Sequence, residues 1–125
     1  MIERIFDDDT GIIYVTGRGV WNRQAVDVHY ASLRGMIDDL RSRGAPIRVL
    51  SDVSAAPRQD HDLERHILGQ ISRTFQERDR FAILTADMAD KAYARASAGH
   101  ANIMVFASKL PAEQWLLWDE LPRAG

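Results

Sequence analysis

The chain has 125 residues, of which 46% are hydrophobic and 27% charged, with a net charge of −2 and no cysteine. That size and balance fit one domain with one ordinary core, so residues 1–125 are read as a single domain. The charge leaves no basic field for nucleic acid, the missing thiols exclude disulfides and cysteine chemistry, and no apolar run reaches the ~20 residues of a membrane span.

The opening "MIERIFDDDTGIIYVTGRGV" holds two short apolar runs separated by Asp7, Asp8, Asp9, Thr10 and Gly11. Asp and Gly tolerate turn dihedrals, so this segment predicts a β-hairpin, its second run spanning Ile12 to Thr16. The segment is acidic and has no apolar h-region, so no signal peptide is expected and the location is read as cytoplasmic. In "TGRGVW" the glycines Gly17 and Gly19 do not make a phosphate-binding loop and predict a bent strand exit before Trp21.

Val26, Tyr30, Leu33, Ile37 and Leu40 recur at steps of four and three, which predicts a helix. Asn22 is placed to cap it, Trp21 and Val26 to form a hydrophobic staple, and Gly44 to end it at the left-handed C′ position. "IRVLSDV", Ile47 to Val53, predicts a strand. A second helix is predicted to start near Asp60, with Asp62 and Glu64 against its dipole and Leu63, Ile67, Ile71 and Phe75 on one face. Phe81 to Thr85 predicts the next strand. Asp87 is placed to cap an Ala-rich helix running to Ala98, and Gly99 to stop it. "NIMVFAS" predicts an apolar strand buried on both faces, and Pro111 is expected to open the last helix at its first position.

Strands alternating with helices predict an α/β fold with a mainly parallel sheet, an N-terminal hairpin on one side and about four helices. The element order, the "VLSDVS" strand end and the closing "LPAEQWLLWDE" helix resemble the SpoIIAA-like, or STAS-like, fold over almost the whole chain. The likeness is greatest to small bacterial stand-alone members of uncertain function. It implies strands inside, helices outside, and a regulatory, non-enzymatic role. The family's best-understood members are anti-sigma-factor antagonists that bind a kinase and are switched by phosphorylation of a serine at a helix start. Here Ser51 and Ser54 lie at the strand end, and Gln59 to Asp62 contain no hydroxyl, so that switch is not expected.

The candidate ligand or partner loop comprises Asp52, Ser54, Gln59, Asp60 and His61, beyond the carboxyl end of a strand where open α/β sheets bind ligands. A hydrolase would be built around Asp52, Ser54 and His61, the serine as nucleophile and His61 as its base, but the Gly-x-Ser-x-Gly elbow is missing. Asp62 and His66 share a helix face with His61 near by, yet no fourth ligand or His-Glu-x-x-His spacing accompanies them. Neither a metal nor a cofactor is therefore expected. On the last helix Ala112, Trp115, Leu116, Leu117, Trp118 and Leu121 spread over more than half the circumference, wider than one core requires. Leu117, Trp118 and Leu121 are the interface candidates. Leu117 is expected to face a second subunit and Trp115 the core, in a homodimer. The leading expectation is a protein-binding regulatory domain, with a small apolar-ligand or lipid carrier as the alternative.

Overall fold

The computed structural model describes residues 1–86 and 102–118. The acidic turn closes the opening hairpin as its residues require. Asp7 accepts from the Asp9 N–H at 3.1 Å and the Thr10 hydroxyl at 3.0 Å, and Gly11 supplies the positive φ of 74°. The hairpin joins β1 (Ile2–Asp7) to β2 (Ile12–Arg18) in antiparallel register.

Helix α1 (Arg23–Ser42) carries the end signals read from its sequence. The Asn22 side chain accepts from the Ala25 N–H at 2.8 Å. At the other end Gly44 has φ 72°, its N–H reaches the Arg41 carbonyl, and the Ala45 N–H reaches that of Leu40, which is a Schellman closure. β3 (Arg48–Ala55), α2 (His61–Thr74), β4 (Arg80–Leu84), β5 (Ile103–Phe106) and α3 (Lys109–Leu116) complete the order.

The five-stranded sheet runs β1-β2-β3-β4-β5, parallel from β2 onward. Because each crossover steps the same way, right-handed connections put α1 and α2 on one face. Ile13, Val15, Val49, Phe81 and Ile83 meet the α1 stripe and Leu63, Ile67 and Ile71 of α2 there. The alternate residues Ile12, Leu50, Ala82 and Leu84 turn to the other face and meet Ala112 and Leu116 of α3. Strands β3 and β4 are thus covered on both sides.

Several expectations are corrected. β3 continues to Ala55, so Ser54 lies within the strand with Ser51 and Asp52 rather than just past Val53. Phe75 caps α2 instead of joining its stripe, and stacks on Phe81 with ring centroids 4.5 Å apart. β5 is not buried on both faces: it is a short edge strand on which Ile103 is buried but Met104 is 41% exposed. α3 starts at Lys109, so Pro111 is its third residue, a position where the missing N–H still costs no intrahelical bond. The helix expected between Asp87 and Ala98 lies outside the described residues; three helices are described.

The return from α2 to β4 is fixed by an ion pair. Asp79, only 1% exposed, takes Nη1 and Nη2 of Arg41 at 2.8 and 2.6 Å and the Gln76 N–H at 2.7 Å. The bond to Asp79 raises the Arg41 pKa further. Replacing one partner of a buried pair leaves the other uncompensated. Asp79→Asn is therefore expected to cost about 3 kcal/mol in urea unfolding, whereas the exposed Asp39–Arg43 pair should be worth well under ~1 kcal/mol.

Candidate functional site at the carboxyl edge of the parallel strands

Helices α1 and α2 run back against β2 and β3, so both of their N-termini sit at the carboxyl edge of these strands. Two loops meet there. Gln59 ties them together: its Oε1 accepts from the Trp21 N–H at 2.9 Å, while Nε2 donates to the carbonyls of Gly19 and Pro57, both at 3.0 Å. Gln59 is only 8% exposed and therefore a brace rather than a contact residue. Arg58 adds a two-pronged bond to Glu64 at 2.8 and 2.7 Å, and this holds the Glu64 carboxyl below the usual carboxylate range.

Around this brace stand the other predicted residues. Asp60 caps α2, accepting from the Leu63 N–H at 3.4 Å. His61 opens the helix and is exposed. Asp52 is half-buried on β3, where its Oδ1 accepts from the Ser54 N–H at 3.0 Å and the Ser54 hydroxyl at 2.5 Å. The Ser54 proton is thereby directed to Asp52. His66 turns away from His61 and Asp62, with its Nε2 2.5 Å from Asp27 Oδ1 on α1. That bond, then one from Gln70, holds the Asp27 carboxyl below its ordinary pKa. Among the described residues no three His, Asp or Glu side chains converge to hold a metal ion.

Over 93% of its length, and 92% of the other chain, the protein is similar to an uncharacterized DUF3478-family protein with a SpoIIAA-like fold from Shewanella loihica PV-4 (17% identity, TM-score 0.67). The fold is SpoIIAA-like. An anti-sigma factor antagonist from Mycobacterium paratuberculosis is also similar, with 14% identity, a TM-score of 0.55, and 95% of this chain and 96% of that chain covered. No family profile and no curated protein matches the sequence. At these identities the likeness is one of fold.

A cavity of ≈ 30 Å³ lies among Val15, Trp21, His29, Ser51, Ile67 and Ile83. It admits a water-sized molecule, not an acyl chain. Gly17 makes room beside it, since a Cβ there would meet the Trp21 ring at 2.6 Å. A register shift in β2 between Thr16 and Arg18 accompanies this contact, consistent with the bent strand exit.

His29, a residue the sequence reading passed over, lines the same cavity and is 5% exposed. Its position was nonetheless available: it falls three residues after Val26 and four before Leu33, on the apolar stripe of α1. Its Nδ1 accepts from Arg4 Nη1 at 3.0 Å, which leaves the proton on Nε2. Burial first, and then the Arg4 charge, lower its pKa from 6.5 to about 4.

At the far side of the sheet α3 ends at Leu116, with Leu117 as its C-cap. Leu117, expected to face a second subunit, is half-buried and packs in part against the second core. Trp118 is 56% exposed, and Leu121 lies outside the described residues. Trp115 is half-buried, its carbonyl accepting from Arg80 Nη1 at 2.6 Å while the same guanidinium lies 5.5 Å over its ring.

Two outcomes are expected. Gln59→Ala removes three bonds at once and should cost about 2–4 kcal/mol, with Gln59→Glu no rescue because it cannot donate to either carbonyl. Urea unfolding at pH 7 checks both variants. For His29 the unfolded chain binds the proton more readily than the fold does. Its contribution is thus complete above about pH 6.5 and is lost as pH falls toward about 4. The loss should approach about 3 kcal/mol. His29→Gln should flatten the urea midpoint between pH 7 and pH 4.5 relative to the unmodified protein.

Proposed function

We propose that this chain is a non-enzymatic regulatory domain that binds a partner protein through the rim of Asp52, Ser54, Asp60 and His61. The observation that carries this reading is the Gln59 brace. It holds two loops in place beneath exposed polar side chains, so a partner meets a surface that is already ordered. The fold supports a regulatory role of the kind that the name anti-sigma factor antagonist denotes in the mycobacterial neighbour.

Hydrolysis by Asp52, Ser54 and His61 has less support. In such a triad the serine proton is directed to His61 and donors are aimed at an oxyanion, whereas the Ser54 hydroxyl donates to Asp52. The same contact argues against a phosphoserine switch, because a phosphate on Ser54 would sit beside the Asp52 carboxylate. We further propose that the exposed Trp118, with Leu117 beside it, forms the contact of a homodimer.

A photo-crosslinking residue introduced at His61 is expected to trap one discrete protein in the source cells. The same residue at the exposed Glu77, on the opposite edge of the sheet, is expected to trap none. Phosphosite mapping should find Ser51 and Ser54 unmodified. Stoichiometric phosphate on Ser54, or equal trapping at both positions, would overturn the reading.

A further inference from the structure

Among the described residues β1 is the last strand on its side of the sheet, and the ladder fixes which of its backbone groups are used. Met1 and Arg18 exchange two bonds of 2.8 Å each. In an antiparallel pair such exchange recurs at every second residue, so in this register Glu3, Ile5 and Asp7 point their N–H and C=O toward β2. Those of Ile2, Arg4 and Phe6 point off the sheet.

The two flanks of this edge differ. On the face of α3, Ile5 is 66% exposed. On the opposite face an open groove of ≈ 380 Å³ separates β1 from the start of α1, lined by Ile2, Arg4, Asn22, Gln24, Val28 and His29. Its charge is positive. Arg4 contacts the neutral imidazole of His29 rather than a carboxylate, and the first turn of α1 contains no acidic residue.

We propose that this edge docks an extended segment of a partner protein, which adds to β1 as a sixth strand. An unpaired strand edge is completed by another extended backbone, and the flanks then select alternate side chains. The residue placed opposite Arg4 lies in the groove and is acidic; its neighbour placed opposite Ile5 turns to the other face and is apolar, covering that side chain. A second copy of this chain fits poorly. The two-fold antiparallel pairing that uses all three outward residues sets Arg4 against Arg4, and like charges directly opposite are destabilising. This surface is separate from the rim around Asp52, and neither depends on the other.

The probe is the peptide acetyl-Thr-Val-Thr-Val-Glu-Val-Thr-amide, added to ¹⁵N-labelled protein. Amide hydrogen exchange at Ile2, Arg4 and Phe6 is expected to slow at least tenfold at saturation, with Glu3 and Ile5, already paired, unchanged. Replacing the peptide's Glu by Lys should weaken binding at least tenfold. Arg4→Glu should reverse that preference. Because Arg4 also contacts His29, Ile5→Thr serves as a second variant that leaves this contact intact and should weaken binding several-fold. Protection elsewhere in the chain, or equal affinity for the Glu and Lys peptides, overturns the proposal. So does protection of the three amides in concentrated protein without peptide, which would assign the edge to self-pairing.

Discussion

Two strands, β3 and β4, must be covered on both faces, and much of the molecule follows from that constraint. Val49, Leu50, Phe81, Ala82, Ile83 and Leu84 are each buried, with side chains alternating between the two cores. One face is closed by α1 and α2, which arise from right-handed crossovers. The other requires a separate element, and α3 supplies it with Ala112 and Leu116, both at 0% exposure. Only eight residues long, α3 depends on this contact, since a helix of that length is marginal by itself in water.

The polar interactions then decide where the covering elements stop. Arg80 holds the end of α3 through the Trp115 carbonyl, and Asp79, one residue away, holds the end of α1 through Arg41. At the opposite edge of the sheet Gln59 holds the starts of both helices by way of their preceding loops. A chain of Asp27, His66, Gln70, Arg34 and Thr74 joins the outer sides of α1 and α2. On the α3 face, Tyr14 donates to Glu113, and burial together with that bond pushes its pKa up to about 12. It stays neutral as a donor throughout the ordinary pH range.

What was legible in the sequence was mostly local. The caps of α1 could be read because Asn22, Gly44 and the apolar stripe lie within one segment, and each signal reinforces the others. The parallel sheet was legible from the alternation of strands and helices. The roles of Gln59, Asp79 and His29 were not, because their tertiary partners lie 25 to 40 residues away, and their local partners, the Pro57 carbonyl and the Gln76 N–H, give no sequence signature. For His29 the nearest of these tertiary partners is Arg4, 25 residues distant. Gln59 looked like one polar loop residue among several. The length of α3 was misread for a different reason: apolar residues continue past Leu116, but the backbone leaves the helix at Leu117, and a wheel cannot show where a helix ends.

The strictly sequential strand order has a consequence for the growing chain. Each strand pairs with the one made just before it, so the sheet can assemble in the order in which the ribosome delivers it, each parallel pair closing once its crossover has been made. The described cover for Ile12, Leu50 and Leu84 arrives after all five strands, since α3 begins only at Lys109. During synthesis one apolar side of the nascent sheet therefore stays without the cover of α3 until Ala112 and Leu116 have emerged.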